Sequence, residues 1–210
     1  MALRRLAVLV VILVGALVQY GCRKSPDAPP SPVVVEEYTS FTSPHFSFPY
    51  PANWKTMDAG DVQSLVDTNI TPLGVGGDAI DWAGGVYTGC SDPSRCDNAA
   101  SIFAVVVRMS GFPGSMSDEQ FSQFANNMES ASQQSFGTRL RSFDRLSVSS
   151  FRAIAVTALA RSGKQVIRNV TIFASQDSMY LVFCGASQNL FDSYVKVFDN
   201  IIEQMEVKID

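Results

Sequence analysis

The sequence predicts an α+β fold in which helices cover a mainly antiparallel sheet. Between about residues 140 and 186, four strand-like segments are separated by turn signals such as RSGK and ASQDS, which predicts an antiparallel meander. The segment SIFAVVVRM (101–109) is apolar at both alternating sets of positions, as expected for a strand covered on both faces. Two segments with apolar residues at helical spacing provide the covering helices.

Each predicted helix has its own signature. Ser117 and Gln120 form a capping-box pattern, and the apolar residues that follow recur at three- and four-residue spacing. An unbroken apolar stripe runs from Phe191 to Met205, and such a stripe packs on a sheet more often than it binds a partner. For residues 56–99, which contain the glycine-rich stretch LGVGGDAIDWAGGVYTGC, we expect loops and short strands.

The folded part opens with PHFSFPYPANWK (44–55). The stretch from Phe46 to Tyr50 alternates as a strand does, but Pro49 and Pro51 cannot donate a ladder hydrogen bond. We therefore expect this strand either to lie at a sheet edge or to stop pairing at Pro51. Trp54 is expected to fold back into the core.

The N-terminus predicts export. Arg4 and Arg5 precede the apolar run 6–18, which at about 1.5 Å per residue is too short to span a hydrocarbon core of about 30 Å. Residues 1–21 are therefore interpreted as a signal peptide. The proline-rich segment that follows predicts an extended tether, so we divide the chain into a signal peptide (1–21), a tether (22–40) and a single domain (41–210).

Cys22 directly follows Gly21 and resembles the acylated cysteine of a bacterial lipobox. Gln19 stands where a lipobox usually has leucine, so ordinary secretion with a nearby cleavage site and an uncleaved anchor are the alternatives. Arg23, after the cysteine, favours the periplasmic side of the outer membrane if the cell is Gram-negative.

The charge of the mature chain limits its partners. Residues 1–21 carry two arginines and no acid, so their removal changes the net charge from −4 to −6. An acidic surface argues against nucleic acid and against electrostatic docking on anionic lipid. Contact with a membrane is therefore expected through acyl chains on Cys22.

Three cysteines remain after Cys22. Cys90 and Cys96 bracket the turn-rich SDPSR, and outside the cytosol we expect a disulfide between them, with two free thiols as the alternative. Cys184, within MYLVFCGA, is interpreted as a small buried hydrophobe. Because the chain has a single histidine and no ligand spacing, we predict no zinc and no cofactor.

No catalytic constellation is visible in the sequence. His45 has no neighbouring nucleophile or orienting acid, so no catalytic residue is predicted. Asp78, Asp81, Asp92 and Asp97 lack the fixed register of a calcium-binding EF-hand, and they are interpreted as turn formers. The stretch GVGGDA lacks the lysine and hydroxyl residue of a phosphate-binding loop.

Trp82 and Tyr87 are the candidates for a contact with a partner or ligand. Both lie in the glycine-rich region, and aromatic side chains on irregular segments often anchor partners. The alternative is that they fill the edge of the core.

Two stretches carry a family resemblance. FSFPYPANW contributes Phe46, Phe48, Tyr50, Pro51 and Trp54, and SMYLVFCGASQNLFDSYVKVFDNIIEQMEV forms an apolar strand, a polar turn and a helix. These resemble the opening and closing patterns of PsbP-like domains, and the likeness runs from about residue 41 to 208. It implies an α/β/α sandwich, with helices on both faces of an antiparallel sheet.

The resemblance also implies a class of function. The family includes extrinsic photosystem subunits, a nuclear transport GTPase-binding protein and bacterial lipoproteins, and most characterised members bind proteins or stabilise complexes. The histidine metal sites of its photosynthetic branch cannot be formed by His45 alone. The expected function is a non-catalytic, lipid-anchored accessory protein of the cell envelope with a protein partner. The alternatives are a lipoprotein that binds a small molecule or ion through residues 74–89, and an enzyme such as a hydrolase.

Overall fold

The computed structural model describes residues 32–70, 77–88, 100–109, 116–160 and 162–209. In chain order the elements are β1 (Tyr38–Thr42), β2 (Phe46–Pro51), β3 (Trp54–Thr56), α1 (Ala59–Asn69), β4 (Ile80–Thr88), β5 (Ser101–Arg108), α2 (Asp118–Phe136), β6 (Leu140–Val148), β7 (Phe151–Leu159), β8 (Gln165–Ile172), β9 (Ser178–Ser187), α3 (Phe191–Glu203) and β10 (Glu206–Val207). Short 3-10 helices precede β4 and β6.

A seven-stranded sheet, in the order β3-β4-β5-β9-β8-β7-β6, forms the centre of the molecule. Every neighbouring pair in it is antiparallel, and β6 to β9 follow one another as the predicted meander. β5 lies between β4 and β9. Its residues alternate between two core layers, with Phe103 and Val105 in one and Ile102 and Ala104 in the other. The prediction of a strand covered on both faces is confirmed.

Helices α1 and α2 cover one face of this sheet. Val66 of α1 and Ile70, directly after this helix, share a core layer with Phe124 and Met128 of α2. The predicted capping box of α2 is present, since the Ser117 hydroxyl accepts from the Gln120 N–H and the Gln120 side chain accepts from the Ser117 N–H.

Helix α3 and a three-stranded sheet, in the order β1-β2-β10, cover the other face. The apolar stripe of α3 is buried against the seven-stranded sheet through Val197, Phe198 and Ile201, as predicted for a packed helix. Phe46 and Phe48 of β2 belong to the same core layer. The α+β sandwich class is confirmed, and the small sheet shares the layer of α3.

The expectation for residues 56–99 was wrong for two of its segments. Residues 59–69 form α1, because Asp58 caps it by accepting from the Asp61 N–H (2.9 Å) and Val62, Leu65 and Val66 give it an apolar face. β4 is a nine-residue strand despite its paired glycines.

β2 is the middle strand of its sheet, so the first alternative, a sheet edge, was wrong, whereas the second is confirmed because the strand ends at Pro51. Its prolines pair in register with β1, opposite Ser40 and Tyr38. The Ala52 N–H donates to the Glu37 carbonyl, so the backbone N–H and carbonyl groups of even-numbered residues in β2 point towards β1. The backbone nitrogens of Pro49 and Pro51, which carry no hydrogen, therefore point to the opposite side. There β10 reaches only Phe46 and Ser47, and no ladder bond is lost.

The chain enters the domain beside α3. The Val33 N–H donates to the Ser193 carbonyl (3.0 Å), and Val33 and Val35 pack on the core layer beneath α3. The first strand starts at Tyr38, three residues before the domain boundary expected from the sequence. Trp54 is buried and meets the Tyr194 ring edge-on at 6.0 Å, which confirms its place in the core. Among the described helices, none is long and apolar enough to cross a membrane.

Candidate functional site

Trp82 and Tyr87 lie on opposite faces of β4 and do not form one surface. Side chains alternate along a strand, so an odd separation of five places them on different faces. Trp82 belongs to the core layer beneath α3 and the small sheet. Tyr87 is buried on the α1 side, where burial, followed by the carboxylates of Asp61 and Asp58, raises the pKa of its phenol.

Trp82 joins the small sheet to the seven-stranded sheet. Its indole lies 6.0 Å from the Phe41 ring and 5.6 Å from the Phe46 ring, between centroids. It folds over the backbone of β4, since a Cβ on Gly84 would lie only 2.7 Å from the indole. Most of the ring therefore serves packing within the molecule.

Asp81 occupies a β-bulge. Ile80 pairs with Val107 and Trp82 pairs with Val106, so Asp81 is an extra residue without an opposite partner. In a regular strand, neighbouring side chains point to opposite faces. Here the bulge lets Asp81 and Trp82 both approach His45, with a distance of 3.7 Å from Asp81 Oδ2 to His45 Nε2 and 6.2 Å between the Trp82 and His45 ring centroids.

His45 is held by the turn between β1 and β2 and by the C-terminal segment. The Ser43 hydroxyl accepts from the Phe46 N–H (2.9 Å) and donates to the Phe46 carbonyl (3.1 Å), which closes the turn. The Lys208 N–H donates to the His45 carbonyl (2.9 Å), and the Lys208 ammonium donates to the Ser43 carbonyl (3.1 Å). These contacts fix the imidazole between Trp82 and Tyr180.

Within the part of the chain that the structure describes, neither imidazole nitrogen of His45 has an ordinary hydrogen bond. His45 is 8% exposed, and its Nδ1 is enclosed with no partner among the described residues. The 3.7 Å from Nε2 to Asp81 exceeds the usual length of a hydrogen bond. An enclosed, unpaired nitrogen costs about 1–3 kcal/mol, and His45 shares this feature with the buried Ser132 and Asn169.

Asp81 is shared between two basic groups. Its Oδ1 accepts from the Arg108 guanidinium, and its Oδ2 faces His45. The Arg108 side chain is 67% exposed, so the network runs from an enclosed imidazole to the surface. The Ser43 hydroxyl beside His45 is engaged in the turn and is not positioned as a nucleophile for it. The arrangement is therefore a polar junction between the two sheets.

No three His, Cys, Asp or Glu side chains come together as a metal site within the ranges that the structure describes. Asp78 and Asp81 lie in those ranges, while Asp92 and Asp97 fall outside them.

Of the four cysteines, only Cys184 lies among the described residues. It is buried in β9 with a free thiol, as predicted. Burial raises the pKa of this thiol to about 12. Acylation of Cys22 and the bridge between Cys90 and Cys96 stay predictions, because these residues fall outside the described ranges.

Sequence reasoning missed the pairing of His45 with Asp81. The two residues are 36 positions apart, and the Ser43 turn and the bulge bring them together. The available signal was an acidic residue inside the otherwise apolar stretch AIDWAGG, which is unusual for a strand between two core layers.

No family model matches the sequence, and no curated protein matches it. Solved structures give distant matches. LpqN of Mycobacterium tuberculosis, described as involved in cell envelope biogenesis, is 14% identical, with a TM-score of 0.46 over 82% of this chain and 91% of LpqN. The PsbP of Synechocystis sp. PCC 6803 is 10% identical, with a TM-score of 0.45 over 92% of this chain and 99% of that protein. A Bacteroides thetaiotaomicron protein is 10% identical, with a TM-score of 0.42 over 81% of this chain and 48% of that chain.

The cyanobacterial PsbP comes from the family that residues 46–54 and the C-terminal part resemble. At these identities and TM-scores the likeness does not extend to function. Fold and site together define an α+β sandwich protein with a His–Asp–Arg network where its two sheets meet.

Proposed function

We propose that this protein is a lipid-anchored accessory protein of the cell envelope that acts by binding a protein partner. The observation that carries the proposal is the order of segments at the N-terminus. A signal-like stretch (1–21) ends directly before Cys22, and a proline-rich segment separates that cysteine from the domain. This order is typical of an exported protein attached through an acylated cysteine.

The place where the chain enters the domain supports a tethered arrangement. Val33 is fixed to the first turn of α3 through Ser193, so residues 22–32 are the link between the anchor and the domain. Proline-rich chains extend by about 3.1 Å per residue, which gives this link a reach of about 30 Å. The domain then works close to the bilayer. Arg23 favours the periplasmic side of the outer membrane in a Gram-negative cell.

A binding role is supported by the motifs that resemble PsbP-like domains, since most characterised members of that family bind proteins or stabilise complexes. It is also in line with His45, which its neighbours hold as part of the core, and with Ser43, whose hydroxyl is engaged in closing the turn.

The anchor is tested by labelling cells that express the chain with a fatty-acid probe. We expect the wild type and a Cys184→Ala control to be labelled and to sediment with membranes. Cys22→Ala should lose the label and leave the membrane fraction, because the acylated sulfur is gone. Unchanged labelling of Cys22→Ala would refute the lipid anchor.

A further inference from the structure

The outer face of helix α2 carries hydrogen-bonding side chains without charge. Every exposed residue between Gln120 and Ser135 has an amide or a hydroxyl group. Glu129 is the only charged residue in this stretch of the sequence, and its carboxylate lies 3.9 Å from the Arg145 guanidinium of β6. Protein surfaces are typically about 25–35% charged, so a neutral face of this length is unusual.

Four of the exposed residues form one line along α2, opposite to the side of the helix that faces the core. They are Gln123, Asn127, Ser130 and Gln134. The line is about 16 Å long at about 1.5 Å per residue, and its members recur about once per helical turn. Among the described residues, none bonds to these four side chains, whereas the neighbouring Asn126 accepts from Arg145.

The rest of the molecule holds this line in a fixed place. The first turn of α2 is closed by its capping box and by Arg152, which donates to the carbonyls of Met116 (2.9 Å) and Ser117 (3.1 Å). The middle of the helix is fixed to β6 through the Arg145 guanidinium. A ligand therefore meets groups on an ordered backbone, which lowers the entropic cost of binding.

The line does not serve the stability of the helix. Asparagine and serine are poorer helix formers than alanine, glutamate or lysine, yet Asn127 and Ser130 lie in the middle of α2. The helix contains no lysine or arginine, so it also lacks the ion pairs between its own residues that stabilise many surface helices. Helix stability therefore does not explain the choice of residues on this face.

The chemistry of the line selects an uncharged ligand. Amides and hydroxyls both donate and accept hydrogen bonds, which matches the hydroxyl and acetamido groups of sugars. A charged ligand would lose hydration here without gaining an opposite charge, because the carboxylates of Asp118 and Glu129 are already paired with arginines. The repetition along the helix favours a polymer, since its repeating units can meet several positions at once.

A second copy of the chain fits this face less well. The charged residues of α2 are Asp118, Glu119 and Glu129, and all of them are acidic. Two paired α2 helices would bring these carboxylates together without a lysine or arginine of either helix between them, and both chains carry a net negative charge. An uncharged polysaccharide adds no charge to the interface.

We propose that the outer face of α2 binds an uncharged polysaccharide whose sugars carry hydroxyl and acetamido groups. The line of Gln123, Asn127, Ser130 and Gln134 supplies the hydrogen bonds. The proposal goes beyond the protein partner proposed above, because it gives the domain a second attachment in the cell envelope. It requires export of the chain but not the acyl group on Cys22.

The test uses the full chain, isotope-labelled for NMR and kept in a detergent without a sugar headgroup, with a hexamer of N-acetylglucosamine as the probe. We expect the hexamer to shift the side-chain amide signals of Gln123, Asn127 and Gln134. The double variant Asn127→Ala, Gln134→Ala lacks two of the hydrogen-bonding groups. It should bind at least about tenfold more weakly, since each lost hydrogen bond lowers affinity by about twofold to tenfold.

The double variant Ser122→Ala, Gln133→Ala is the matched control. Both residues are exposed on α2 but lie beside the line, so this variant should bind as the wild type does. Alanine is the best helix former, so both double variants should have unfolding midpoints equal to or above that of the wild type. A loss of binding then reports missing contacts and not a damaged helix.

Three results would overturn the proposal: no binding of the hexamer at millimolar concentration, signal shifts confined to residues outside α2, or equal binding by the Asn127→Ala, Gln134→Ala variant. A wild-type dimer that this variant dissociates in sedimentation would assign the line to a second copy instead. Labelling at Cys22 is independent of all these results, so failure of the anchor and failure of the polysaccharide contact are distinguishable.

Discussion

Cys184 lies in β9 opposite Arg168 of β8, in the core layer beneath α3. Burial dominates its environment and raises the pKa of the thiol, and the nearby Arg168 charge opposes this effect only in part. Arg168 itself is paired with Asp199 of α3. The thiol therefore stays protonated and enclosed under ordinary conditions.

This state has a measurable consequence above neutral pH. The thiol of Cys184 has a pKa near 9.0 in the unfolded chain, whereas burial raises this pKa to about 12 in the folded chain. The contribution of the protonated thiol to stability is complete below the pKa of the unfolded chain. It is lost as the pH rises from that pKa to the pKa of the folded chain. Between pH 8 and pH 10.5 we expect this residue to remove about 2 kcal/mol from the free energy of unfolding.

Urea unfolding of the wild type and of Cys184→Ala at both pH values isolates this contribution. The phenols of the buried Tyr87 and the half-buried Tyr194, whose pKa values are also raised by desolvation, contribute equally to both proteins. A pH dependence that is identical in the two proteins would show that the thiol is not enclosed.

At the scale of elements, the sequence predicted the strands and helices whose patterns are strong. Burial is required by the apolar runs of β5, β8 and β9 and by the apolar stripe of α3. These segments could therefore be assigned to the core from their sequence patterns alone. α1 was missed because its signals, Asp58 and a short apolar face, are weak beside the nearby glycines. The pairing of His45 with Asp81 depends on tertiary structure, and no local pattern specifies it.

The glycines of β4, Gly84 and Gly85, have less space for a side chain than Gly185 of β9. A Cβ on Gly85 would collide with the Ile102 carbonyl oxygen and lie 2.9 Å from the Met57 sulfur. The Ile102 carbonyl oxygen belongs to the backbone of β5, so it cannot rotate away as a side chain could. A Cβ on Gly185 would meet its nearest atom, the Ser101 hydroxyl oxygen, at 3.7 Å.

We therefore expect Gly85→Ala to lower the free energy of unfolding by about 3 kcal/mol, as overpacking does. Gly185→Ala is the matched control and should change it by less than about 1 kcal/mol. Denaturant midpoints, followed by circular dichroism, measure both. Equal stability of the two variants would contradict the close approach of β4 to β5.

At the scale of the whole molecule, the C-terminal segment connects the two ends of the domain. Met205 and Val207 are buried in the layer of α3, and Lys208 holds the His45 carbonyl. Ile209, by contrast, is 45% exposed.

Removal of residues 205–210 should lower the free energy of unfolding by about 3–5 kcal/mol, since two core side chains and a strand of the small sheet are lost. Removal of residues 209–210 is the control and should leave it nearly unchanged. Thermal melts of both truncated chains provide the comparison. If the two truncated chains had the same thermal unfolding midpoint, the C-terminal strand would have no role in stability.

β2 takes one neighbour, β1, from the start of the domain and the other, β10, from its last residues. The small sheet cannot be completed until Glu206 and Val207 have been synthesised. Phe46 and His45 consequently remain without their final contacts until that point. A domain whose closing strand is synthesised after all its other strands stays incompletely folded until that strand has emerged, a state that suits the export proposed above.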